Sequence, residues 1–112
     1  MNTNRVVVTG LGALSPIGNT INEFWDNLIA GKSGAAPITH FDTSKFKTKF
    51  ACELKNFNLQ DYIPKSESRR YDPFTQYALI ASDEAIKNAK LNFDELDTDL
   101  IGVIWGSGNG GM

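Results

Sequence analysis

The sequence predicts an α/β fold, and three observations carry that reading. Two apolar runs, Val6-Val7-Val8 and Leu100-Ile101-Gly102-Val103-Ile104-Trp105, lack polar alternation, the pattern of strands covered on both faces of a parallel or mixed sheet. Between them lie two segments whose apolar residues recur at helical spacing. Glycine-rich turns follow both runs, at the strand ends where α/β chains reverse and gather ligands. The predicted order is strand, helix, irregular arm, helix, strand, with no internal repeat.

The first strand is placed at Arg5 to Gly10, and Gly10 and Gly12 then let the backbone turn sharply. Gly10-x-Gly12-x-x-Ser15 imitates a dinucleotide fingerprint, but Pro16 and Gly18 interrupt before any helix can offer its N-terminus to a pyrophosphate. The acidic residue that would hold a ribose is also out of place, because Asp42 falls in a polar loop. Thr20-Ile21-Asn22-Glu23 reads as a capping box in which Glu23 reaches back to the Thr20 amide. Ile21, Phe24, Trp25, Leu28 and Ile29 form the apolar stripe of the helix it starts, and Gly31 is placed to end that helix in the left-handed conformation.

From Lys32 to Lys65 the pattern loosens, and so long an arm is expected to be held by another part of the protein or by a second subunit. Within it, alternation around Phe50-Ala51-Cys52 puts Cys52 on the buried face of a half-exposed strand, as a structural thiol. His40 reads as a loop histidine bonded to nearby backbone. Ser66 to Tyr71 predicts a short helical turn. Asp72-Pro73 supplies a cap and a first-turn proline for a helix from Pro73 to about Asn88. Its stripe of Ala78, Ala81, Ala85 and Ala89 would let a second backbone come close. Leu79, Ile80 and Ile86 make it apolar on other sides, which suits burial between layers.

Composition narrows the function classes. The 112 residues carry 11 basic and 13 acidic side chains, so no global positive field favours nucleic acid or an anionic membrane as partner. No apolar run approaches the roughly 20 residues of a membrane span, and Met1 to Arg5 lacks a signal core, which makes the cytoplasm the expected location. One cysteine excludes an internal disulfide and any metal site of paired thiolates, and no cofactor is expected. Two places remain for chemistry. Gly106 to Gly111 lets a ligand approach backbone amides, though no lysine follows as in a phosphate loop. Lys65, Arg69 and Arg70 gather positive charge just before the long helix.

Several segments in register resemble the β-ketoacyl-acyl-carrier-protein synthases, of the type called synthase II. They are Arg5 to Asn19, Gly31-Lys32-Ser33-Gly34, His40-Phe41-Asp42-Thr43-Ser44, Lys49-Phe50-Ala51, Asp72-x-Phe74-x-Gln76-Tyr77 and Gly106-Ser107-Gly108-x-Gly110-Gly111. The resemblance implies the N-terminal part of a thiolase-like, layered αβαβα fold, with residues 1–112 a piece of a larger protein that ends here inside a glycine loop. It implies an acyltransferase of fatty acid biosynthesis that condenses an acyl thioester with malonyl-carrier protein by decarboxylative Claisen chemistry. The catalytic cysteine, histidines and lysine of that chemistry would all lie outside these residues. It also implies acyl carrier protein as partner, a homodimer of the full-length protein, Gly108 and Asn109 beside the acyl pocket, and Lys65, Arg69 and Arg70 against the carrier. Asparagine at 109 departs from the apolar residue usual there, and Trp105 is bulkier than usual. Two other readings stand beside this one: a non-catalytic chain-length-factor-like partner of a polyketide-type synthase, and a nucleotide-binding module.

Overall fold

The longest helix, α3 (Pro73–Asn88), is the element against which the N-terminal turn is laid, and it is described with residues 3–111 in a computed structural model. Before it come α1 (Ile21–Ile29), the strands β1 (Ala36–Pro37) and β2 (Phe50–Ala51), a 3₁₀ turn at Leu59–Asp61, and α2 (Lys65–Ser68); a second 3₁₀ turn, Thr98–Leu100, follows it.

α1 starts and stops as its residues dictate. The Glu23 amide donates to Thr20 Oγ1 at 3.2 Å, while the Glu23 carboxylate takes the Asn19 amide at 2.8 Å. The reciprocal bond thus falls one residue earlier than the predicted Thr20 amide, although it satisfies an orphan donor in the same way. At the other end Gly31 has φ +67°, and the Lys32 and Gly31 amides donate to Asn27 and Leu28 carbonyls, a Schellman closure. α3 ends by the same geometry with Lys90 at φ +55° in the position glycine usually fills.

The irregular arm is a shallow antiparallel excursion, with Ala36 opposite Ala51 and Pro37 opposite Phe50. It is held by another part of this chain: Lys55 Nζ donates to the carbonyls of Gly34 and Pro16, and Asn19 Nδ2 donates to the Lys55 carbonyl. Cys52 departs from expectation, for it is exposed, and Glu53 is the residue turned partly inward. The period of two is kept but its phase is opposite to the predicted one: Phe50, inside the paired strand, is already 65% exposed, and Cys52 shares its outward face while Ala51 and Glu53 turn partly inward.

Gly10 and Gly12 lie directly on α3. A Cβ built on Gly12 would stand 2.0 Å from the Ala81 carbonyl oxygen and 2.8 Å from the Ala85 nitrogen; one on Gly10 would stand 2.7 Å from Ala89 Cβ. The alanine stripe therefore does receive a second backbone. Polar side chains on the same side of α3 complete the joint: Glu84 Oε2 accepts from the Ala13 amide and Oε1 from the Ile21 amide, both at 2.8 Å, and Asn88 Oδ1 accepts from Leu11 at 3.0 Å. Among the described residues the buried apolar ones are few, namely Ile63, Ala78, Ile80 and Ala81.

The two predicted strands are corrected. Arg5 to Gly10 and Ile101 to Trp105 are unpaired among the described residues, with Val6 91% and Ile104 100% exposed, and Leu100 sits in a 3₁₀ turn. A strand is defined by its neighbour, and no described segment lies alongside either run to form a ladder. The α1 stripe is likewise uncovered at Trp25, Leu28 and Ile29. With so many apolar faces open, the radius of gyration is 17.4 Å, against about 13 Å for a compact chain of this length.

Candidate functional site

Pro64 turns the chain into α2, whose single turn presents Lys65 and leads through Arg69 to Arg70. All three cations are exposed, and none is ion-paired with a described residue. Their backbone is nonetheless fixed. Ser68 is buried, its hydroxyl donates to the Lys65 carbonyl, and Gln76 Nε2 donates to the carbonyls of both Ser68 and Tyr71 at 2.8 Å. Gln76 belongs to the first turns of α3, so the basic cluster rides on the start of that helix. Such a surface can steer and hold an acidic partner, since unpaired cations lose little by exchanging water for carboxylates.

Gly106 to Gly111 folds back to the same place. Space around Gly106 and Gly108 is open, but Gly110 lies against the Phe74 ring and Gly111, at φ +75°, against the Asp72 carboxylate. The structure thus brings the end of the glycine loop and the residues that follow Arg69 and Arg70 together at the N-terminus of α3. Gly108 and Asn109 themselves are exposed.

Neither place holds a thiol or an imidazole. Cys52 lies elsewhere, on an open cavity of about 600 Å³ that His40, Glu53, Leu14 and Tyr77 also line. His40 Nε2 stands 3.9 Å from Glu53 Oε1. Partial burial works against ionisation of Glu53, but donation from the Thr39 hydroxyl and amide and the charge of His40 outweigh it, holding the carboxyl below its ordinary value of 4.5. A depressed carboxyl adds stability above its unfolded pKa and loses that contribution as pH falls through the folded value. Glu53→Gln should therefore lower the melting temperature at pH 7, with the gap to wild type closing below pH 4.5. Melts across pH 3 to 7 with a constant gap would contradict this. Asp42 is held low as well, by the Ser44 amide and then its hydroxyl. No three potential metal ligands converge among the described residues.

Sequence reasoning missed Phe74, Asp72 and Glu84 as organising residues. Asp72 and Phe74 carried helix-start information and part of the family resemblance, with no sign of a contact to the glycine loop. Glu84 and Asn88 could have been found as polar residues four apart beside the alanine stripe, where a solvated face was not expected.

Residues 3–112 match the family described as "Beta-ketoacyl synthase, N-terminal domain". A 3-oxoacyl-[acyl-carrier-protein] synthase 2 from Staphylococcus aureus (strain COL) is 53% identical over 108 residues, 96% of this chain and 26% of the relative. The protein of that name from Synechocystis sp. is 46% identical over the same shares. The chain thus spans about a quarter of the length of these curated relatives. Among solved structures, the ishigamide ketosynthase/chain length factor aligns with TM-score 0.72 and 39% identity over 80% of this chain and 22% of the other. The fold is that of the N-terminal domain of this thiolase-like class.

Proposed function

Because this chain belongs to the beta-ketoacyl synthase family, we propose that it is the N-terminal part of a 3-oxoacyl-acyl-carrier-protein synthase of fatty acid biosynthesis. The observation that carries the proposal is 53% identity to a synthase 2 across 96% of the chain, insertion of an unrelated function being hard to reconcile with so continuous a match. In the longer protein, here called the parent, a cysteine thiolate attacks an acyl thioester and displaces the carrier's thiol. Malonyl-carrier protein then loses carbon dioxide, the resulting carbanion attacks the acyl-enzyme carbonyl, and collapse expels the cysteine thiolate with release of the 3-oxoacyl-carrier product.

Residues 1–112 contribute docking and selection to this scheme, and catalysis lies with the remainder of the parent. Lys65, Arg69 and Arg70 are the surface for the acidic carrier protein. Gly108 and Asn109 stand beside the acyl pocket. The parent works as a cytoplasmic homodimer and needs no cofactor, since decarboxylation itself supplies the carbanion.

The test is condensation by the parent, followed with acyl-carrier and malonyl-carrier substrates and compared with small-molecule acyl thioesters. Arg69→Glu with Arg70→Glu should lower kcat/KM for carrier substrates by about tenfold or more, mainly through association, and leave small thioesters nearly unchanged. Equal losses for both would remove the docking role, and absence of any condensation would remove the enzyme. A second reading has one observation in its favour, the structural likeness to a protein titled in part a chain length factor. On that reading the parent lacks the nucleophilic cysteine, and iodoacetamide would label no active-site thiol.

A further inference from the structure

We propose that Phe74 is a positioning residue for the loop Gly106 to Gly111, and that through this loop it sets which acyl chain lengths the parent accepts. The inference rests on the synthase reading above.

Geometry places the loop from α3. A Cβ added to Gly110 would stand 2.6 Å from Phe74 Cε1, 2.7 Å from Cζ and 2.8 Å from Cδ1, so this edge of the ring approaches the peptide backbone more closely than any residue with a Cβ would allow. One residue on, a Cβ on Gly111 would stand 2.6 Å from Asp72 Oδ2. Asp72 is the N-cap of α3 yet makes no side-chain cap bond, which leaves its carboxylate turned to the loop. Gly106 and Gly108 have open space around them, so the register of Asn109 is fixed from its C-terminal side, at Gly110 and Gly111.

The stop is firm because α3 is. Gln76, two residues after Phe74, ties the helix to the Ser68 and Tyr71 carbonyls, and Glu84 and Asn88 tie its far half to the segment from Leu11 to Ile21. A ring held between such anchors transmits little give. Its removal frees the loop to retreat, and Asn109 with it, so a channel wall that had discriminated between short and long acyl chains loses its position.

The experiment uses the parent in two arms. Hydrogen exchange followed by mass spectrometry should show the peptide covering residues 106–111 exchanging at least about fivefold faster in Phe74→Ala, with α1 unchanged; exchange depends on local opening whatever the reaction is. The kcat/KM ratio for a long against a short acyl-carrier substrate should move about tenfold in Phe74→Ala, return toward wild type in Phe74→Tyr, and move again in Gly110→Ala, which lifts the loop from the other side. A merely structural role would lower both substrates alike and leave the ratio where it was. Unchanged loop exchange in both Phe74→Ala and Gly110→Ala overturns the positioning role. Asn109→Ile tests the underlying reading separately: if it leaves the ratio unchanged, the loop does not line the channel and the selectivity claim falls. If Asn109→Ile moves the ratio and Phe74→Ala does not, the loop is at the channel but is not placed by Phe74.

Discussion

Gly12→Ala is expected to destabilise the parent by about 3 kcal/mol, well beyond the cost of Gly31→Ala or Gly102→Ala. The atom a new methyl would meet is the Ala81 carbonyl oxygen, at 2.0 Å, with the Ala85 nitrogen behind it at 2.8 Å. These are backbone atoms of a helix and cannot rotate away, so the N-terminal turn must lift off α3 and give up its bonds to Glu84. Gly31→Ala provides the scale: nothing stands within 4 Å of its Cβ position, and its cost is only that of holding alanine at φ +67°, about 1 to 2 kcal/mol. Gly102→Ala, in open space, should be near neutral in this respect. Urea midpoints of the three variants would rank them. A Gly12→Ala protein within 0.5 kcal/mol of wild type, about the effect of an ordinary surface change, would mean that the turn does not rest on α3.

Glu84→Ala should cost about 2 to 4 kcal/mol. One carboxylate serves the Ala13 and Ile21 amides, and each of those part-buried donors loses a charged acceptor when it is removed. Glu84→Gln separates acceptance from packing. The amide oxygen can still serve one backbone N–H, but its NH₂ group meets the other donor with another donor, so this near-isosteric change should recover less than half of the loss. Denaturation midpoints read both. If Glu84→Ala and Glu84→Gln were equally mild, the bridge would contribute nothing and the turn would be held by the glycine contacts alone.

What was legible in the chain was local. Thr20 and Gly31 bound α1, and Asp72-Pro73 starts α3, because a cap or a left-handed glycine works within a few residues. The alanine stripe announced a close backbone without saying which, and Gly10 and Gly12 filled the place from about 70 residues away. Strands at Val6 and Ile104 were not realised, since apolar runs state a need for neighbours and the described residues provide none. Cys52 was misplaced because the apolar Phe50 was taken to mark the buried face, whereas Phe50 and Cys52 both face outward and Ala51 and Glu53 turn partly inward. Of the candidate site, Lys65, Arg69 and Arg70 could be read as a charge cluster from their spacing alone. The meeting of Phe74 with Gly110 could not, because neither residue carries a periodic or chemical mark of the other.

The bond from Leu11 to Asn88 spans 77 residues, and Ala13 and Ile21 reach Glu84 across 71 and 63. A ribosome adding roughly 5 to 20 residues per second needs about 4 to 15 s to cover the longest of these intervals. For that time Val6-Val7-Val8 is already made while the helix that receives its turn is not. The N-terminal segment therefore begins life as a waiting client, and a holdase that binds short apolar stretches would find its site there before the contacts with α3 can form.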